Sequence, residues 1–535
     1  METGVEWKIT GAPGRAAAVL LLLVVFTVTA YSLENQQAAA GITLERMARA
    51  QFGTLSAAEV VMLHTAPTRA VAWASPSQDP NAPINDPSKA ASWGPERTIR
   101  AEIIEWLLSD AQASRVVHPS GLGVKGARIT GKLDFSYLTI TSPIMLVLCA
   151  IGDGIDLQYA HYQSLDLRSS FTGPIVGDLS VSQGDVLLRY GHYDGVSFYR
   201  AEIGGNLEAN GGQFAGDEPL SVVDATIKGD ALFHEDFTAN GVVDFRLARI
   251  GRGLSFNHAR FTGASDNGLE AERATVGGTL YWVAITQTPR TQLDLSDAHV
   301  GALWDDEQSW PAPGKLALDG FVYGEFSGGP ADSASRLVWL RRQSRALQSN
   351  PQPYRQLAEV MRAEGRPEGA INVEMARQDA LTAKETHFGP RVWRLALKWV
   401  LGYGYRPLRA LWWILLFVVF GTVLFGWGYH ARIITPTNER AYEVFVQTGA
   451  PPPYYPPFSS FVYSLENFLP VVELHQGQYW RPNPLHMPTA SSAPRWVSAT
   501  FGARILRWYL WVHILAGWTI TPLLFAGLAG LLRND

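Results

Sequence analysis

The residues best placed to do chemistry in this chain are three ionisable side chains in one short segment, Glu466, Glu473 and His475. They follow a proline-rich stretch, Pro451-Pro-Pro-Tyr-Tyr-Pro-Pro, and a short apolar run from Phe458 to Phe468, and they lie between two long apolar stretches. Charges at membrane depth are costly unless they face water or a partner, so such a set could line a pore or form a proton-sensitive gate. A span, a short helix, an irregular turn and a second span is also how a two-helix cation channel presents its filter, where backbone carbonyls replace the ion's water. The sequence departs from that pattern at the decisive point. Pro470-Val-Val-Glu473-Leu-His475 stands where a Thr-Val-Gly-Tyr-Gly-like run would be. The plainer alternative, preferred on the sequence, is an interfacial helix packed under the spans with its carboxylates in the headgroup region.

Other reactive side chains form no recognisable site. His161, His192, His234, His258 and His299 are scattered without metal-ligand spacing, and they read as solvated loop residues. Asp305, Asp306 and Glu307 could collect a cation, but an exposed turn is the simpler expectation. There is no P-loop and no glycine-rich fingerprint between a strand and a helix, so kinase, hydrolase and nucleotide-oxidoreductase motifs are absent. A single cysteine, Cys149, excludes a disulfide within the chain or a thiolate cluster, and it reads as a small core residue. No catalytic, cofactor-binding or metal-ligating residue is assigned, and no cofactor is expected. A net charge of -5 provides no basic footprint for nucleic acid.

The elements that must hold the Glu473 segment are membrane helices. Hydrophobic residues make up 47% of the chain and charged residues only 17%, with 18 Trp available as interfacial anchors. After a tail over 1–15, three apolar stretches are long enough to span a bilayer: 16–33, 410–429 and 506–532. The first is expected to be a retained anchor, with a cleaved signal peptide as the alternative. Residues 391–409 alternate Arg391, Arg394, Lys398, Arg406 and Arg409 with Trp and Leu, as an amphipathic helix on anionic lipid would. The 430–505 connection would carry a re-entrant helix over 458–475. Cations before the second span argue for a cytoplasmic solenoid, whereas Lys8 and Arg15 before the first argue the reverse; cytoplasmic is the expectation.

The bulk of the chain is a repeat. A mostly helical cap with a polar linker over 34–120 leads into a region, 121–326, of short alternating segments broken by glycine. There Ala-x-(Ile/Val)-x-x-x-(Leu/Ala) recurs at Ala127, Ala201, Ala225, Ala248 and Ala274, interleaved with Phe171, Tyr193, Phe214, Phe237 and Phe261 at intervals of 22, 21, 23 and 24 residues. Merging the two series gives anchors at Ile129, Ile140, Ile151, Tyr162, Phe171, Val181, Tyr193, Ile203, Phe214, Ile227, Phe237, Ile250, Phe261 and Val276, two to a coil. Thin coils bury their apolar residues only by stacking, so the pattern predicts a right-handed β-helix, a pentapeptide-like solenoid. Gly204, Gly205, Gly229, Gly251, Gly277 and Gly278 are expected at corners that need positive φ. A helical neck over 331–388 follows, with a helix from Ala331 to Gln348 and a hairpin from Pro353 that resembles one tetratricopeptide-like unit, expected to cap the solenoid's open end.

Trp93-Gly-Pro-Glu-Arg-Thr-Ile-Arg-Ala-Glu, Val117-His-Pro-Ser-Gly-Leu, Gly126-Ala-Arg-Ile-Thr-Gly-Lys-Leu-Asp-Phe and the phrase Leu-x-x-x-x-Ala-x-Ile-Gly-Gly-x-Leu resemble a bacterial family of pentapeptide-like β-helical membrane proteins over roughly 90–390. Members are often labelled membrane-associated oxidoreductases, but the resemblance brings no catalytic residues. It implies a multi-pass protein of the bacterial inner membrane. The expected function is a membrane-anchored scaffold with a protein partner on the β-helix face and self-association in the bilayer. The alternatives are an oligomeric ion channel or gate and, on the family label alone, an oxidoreductase.

Overall fold

The computed structural model describes residues 35–263, 267–348, 350–483 and 499–530. The expected tail, the 16–33 stretch and the last residues of the 506–532 span lie outside the described residues. The chain forms two compact units, the first ending at Val373 and the second beginning at Glu374.

The first unit is a β-solenoid of about nine turns. Its short strands pair in parallel with the turns before and after: His161 with Thr139 and Val181, Leu165 with Ile144 and Val186. Side chains then stack in columns. Ile203, Ile227, Ile250, Val276 and Val300 form one, and Ile129, Ile151, Thr172, Tyr193, Phe214, Ala239 and Phe261 another. All of these are buried, none more than 7% exposed.

Three expected anchors are displaced. Thr172, not Phe171, sits in register with Tyr193, and Ser182, not Val181, sits in register with Ile203. A slip of one residue turns a side chain to the other face of a strand, so Phe171 is left half-exposed, stacked on His192 at 4.7 Å. Ala239 holds the ladder position while Phe237 reaches the core from two residues earlier.

The corners also correct the sequence reading. None of the six expected glycines has positive φ; many left-handed residues are instead not glycine, with Tyr137, Tyr159, Leu179, Arg200, Asp224, Leu247, Arg273 and Asp297 forming one succession. Their cost, on the order of 1–2 kcal/mol each, is offset by local bonding. Asp134, Asp156 and Asp244 each accept the N–H two residues on, and the left-handed residue three on donates to the next turn, as Tyr137 does to Gln158 O at 2.9 Å. The glycines serve close approach instead. A Cβ on Gly301 would lie 2.7 Å from Gly277 O, and one on Gly251 would overlap Lys228 O.

Cys149 is fully buried, with Sγ near the carbonyls of Val147 and Val124, and burial pushes its thiol up to about 12. The thiolate is the reactive form, so this thiol is expected to resist maleimide near neutral pH in the folded protein and to react fully in denaturant. Mass spectrometry of the two samples checks it; equal labelling would contradict the burial.

The N-terminal region is less purely helical than its sequence suggests. A helix over 35–52 (α1), Ala57–Thr65 (α2) and Ala101–Ser109 (α3) are joined by strand residues that already belong to the solenoid, Ala72 pairing with Val124 and Thr98 with Arg128. At the other end the helix expected over Ala331 to Gln348 is Ser333–Leu340 (α4), followed by turns in which Gln343 bridges to Leu316. Then come Pro351–Ala363 (α5) and Pro367–Lys384 (α6). Side chains of α5 take up open backbone groups of the last turn: Gln352 bonds Gly320 N and Phe321 O, and Gln356 donates to Tyr323 O. The next residue after α5, Glu364, accepts from Phe326 N at 2.8 Å.

The second unit is helical, with Phe388–Leu401 (α7), Arg409–His430 (α8), Glu439–Thr448 (α9), Ser460–Phe468 (α10), Gln476–Tyr479 (α11) and Ala499–Leu528 (α12). Two of these, α8 and α12, are long and apolar enough to cross a membrane. The expected 391–409 helix stops at Leu401, where Gly402 is left-handed and turns the chain. Arg406 therefore lies beyond it and Arg409 opens α8.

Candidate functional site

The helices α8 and α12 run antiparallel, with Gly428 against Leu506, Gly421 against His513 and Gly527 against Pro407. Small residues let such backbones approach closely. Between them lies α10. Ser459 caps it, Ser460 lies beside Gly426, Ser464 beside Gly421, and Phe468 beside Phe417 and Gly517. The C-terminus of α10 thus stops near the midpoints of both long helices.

A buried polar node joins the three. Ser464 Oγ donates to Val418 O at 2.9 Å, and His513 Nε2 is 2.9 Å from Ser464 O. A carbonyl can only accept, so Nε2 carries the proton and Nδ1 accepts from the Tyr509 hydroxyl at 3.2 Å. Phe417, Phe425 and Phe468 surround the ring. With every polar atom of the imidazole satisfied, the node knits helices together. His513 and Ser464 were missed in the sequence; a lone histidine in an apolar run, with tyrosine four residues before it, was the available signal.

Of the three expected site residues, the structure gives Glu466 a clear task. Its Oε2 accepts from Gln476 N at 2.7 Å and Gly477 N at 3.2 Å, which pins the far end of the irregular turn. Gln476 in turn bonds Ser459 N and Pro457 O. Glu473 and His475 are exposed, His475 with φ +64, and among the described residues neither side chain makes a hydrogen bond or ion pair. The three side chains do not converge. Beyond the turn, Trp480 returns to an aromatic cluster with Tyr429, Phe445, Tyr455 and Phe458 at the His430 end of α8, where Ile434–Pro436 pairs with Trp480–Pro482.

The cations of the preceding segment are divided. Lys398 is paired with Asp379 at 2.8 Å, and Tyr403 donates to the same carboxylate. Arg391 and Arg409 are exposed, Arg394 and Arg406 half-buried. Phe388, Val392, Leu395 and Trp399 form an exposed apolar stripe on α7 at spacings of one helical face.

The remaining sequence candidates resolve without a site. Asp305 is buried in a two-pronged pair with Arg336 at 2.6 and 2.8 Å, and Asp306 accepts from Gln308 N and Ala284 N, so neither is a free acidic group. This corrects the expected exposed turn at Asp305. His161 and His299 lie on separate turns of the solenoid surface, and among the described residues no group of three His, Cys, Asp or Glu is placed to hold a metal ion. Compared with protein-family models, with curated proteins and with solved structures, the chain matches none.

Proposed function

We propose that this chain is a membrane-anchored scaffold, in which a right-handed, pentapeptide-like β-helix presents a repeating surface to a protein partner. The observation that carries it is the succession of left-handed corners. Each projects one side chain per turn, so Tyr137, Tyr159, Leu179, Arg200, Asp224, Leu247, Arg273 and Asp297 rise along one edge. Tyr137 stacks on Tyr159 at 4.9 Å between centroids, and Arg200 lies 3.2 Å from Asp224. Such an edge, aromatic at one end and alternating in charge at the other, suits an extended partner read over several turns. The bonds from α5 to the last turn support a hairpin cap. The apolar α8 and α12 support anchoring, and the cations before α8 support a cytoplasmic solenoid at a bacterial inner membrane.

Photo-crosslinking residues at Tyr159 and at Arg273, in membranes of the native host, test this reading. The same partner protein should be captured from both positions. Separate, unrelated adducts, or none from either, would overturn it.

A further inference from the structure

We propose that the turns after α10 from several copies of this chain together line an aqueous path for cations, with Glu473 as its charged ring and His475 beside it. This goes beyond the scaffold reading and rests only on the part of it that places α8 and α12 across a bilayer.

The argument is one of depth. The nine residues of α10 advance about 13 Å at 1.5 Å per residue, from Gly426 near one end of α8 to Phe417 and Gly517 near the middle of both long helices. Gln476 is back beside Pro457 and Ser459, and Trp480 is back at the His430 end. The excursion from 460 to 480 therefore enters and leaves on one side, and residues 469–475 are irregular backbone within the thickness the long helices would span.

The inner face of α10 is satisfied by Val418 and His513. Its outer face and turn are bare, with Phe461 54% and Val471 85% exposed and with Glu473, Leu474 and His475 open. Hydrocarbon accepts neither open backbone nor unpaired ionisable groups; such segments persist at depth only against protein or along water. Among the described residues one copy supplies neither. A ring of copies supplies both, because a repeated rotation covers the apolar part of each face and turns the polar part toward a shared axis. A ring of carboxylates facing water admits cations and rejects anions.

The test uses the full-length chain in phosphatidylethanolamine–phosphatidylglycerol vesicles. Buried Cys149 leaves an introduced cysteine as the reactive thiol, so Leu474→Cys with a short bismaleimide should link copies covalently. In planar bilayers the unmodified protein should pass potassium in preference to chloride. Glu473→Gln should lose that preference and Glu473→Asp should keep it, which separates charge from misfolding. Absence of linked copies, or linked copies that carry no current at any voltage, would overturn the proposal. Release of the chain by a carbonate wash would instead overturn the membrane reading on which it rests.

Discussion

Replacing Arg336 by alanine is expected to destabilise the first unit by about 3–5 kcal/mol, the scale for removing one partner of a buried ion pair. Arg336 is fully buried and Asp305 nearly so, at 0% and 2% exposure. The guanidinium grips both carboxylate oxygens, donates through Nε to Pro330 O at 2.6 Å and lies over the Phe326 ring at 4.0 Å. Trp310 Nε1 completes the carboxylate's shell at 2.7 Å. Alanine leaves Asp305 charged in a dry site where it ties the last turns to α4. Urea unfolding of the detergent-solubilised chain should show the loss, with hydrogen exchange rising first over 299–305 and 322–328. The paired change Asp305→Leu with Arg336→Met should cost markedly less than either single change, because no charge is stranded. What it keeps is the unpaired Trp310 N–H, roughly 1–3 kcal/mol. Equal losses in the single and double variants would refute the account.

Gly517→Leu is expected to expel α10 from between the long helices. A Cβ at Gly517 would overlap the Phe468 carbonyl oxygen, which is backbone and cannot swing aside, so relief requires moving the whole short helix. The cost belongs at the upper end of the roughly 1–3 kcal/mol overpacking range or beyond it. The Ser464 to Val418 and His513 to Ser464 bonds would be lost together. Gly426→Ala is the control, since its Cβ would meet Ser460 Oγ at 3.4 Å, an ordinary contact. Size-exclusion profiles after graded heating should show early loss of folded protein for Gly517→Leu and little change for Gly426→Ala. If both behave alike, the close approach of α10 and α12 does not hold the module together.

The solenoid was legible because its period is long and its anchors are large: Ile203, Ile227 and Ile250 declare their column by type and spacing alone. Where the interior residue is small or polar, as at Thr172 and Ser182, the neighbouring Phe171 and Val181 drew the register off by one. The corners were misread because glycine is the customary guide to positive φ. The informative phrase was the acidic one, Leu133-Asp-Phe-Ser-Tyr137, Ile155-Asp-Leu-Gln-Tyr159 and Val243-Asp-Phe-Arg-Leu247, in which Asp builds the turn that a bulky residue then completes. In the second unit the two long helices were plain from apolar length. The node at His513 was not, since its partners, Ser464 and the carbonyl of Val418, are brought to it only by the packing of α10.

The register of the solenoid also sets an order of events in synthesis. Each strand bonds to residues about one turn away, as His161 does to Thr139 and Val181, so every new turn closes only a short loop onto a template already formed. A chain emerging from the ribosome can therefore grow the unit turn by turn, starting from the region of α3. The Asp305–Arg336 pair closes it before α8 and α12 have been made. The two described helices long and apolar enough to cross a bilayer are thus synthesised only after the solenoid is complete.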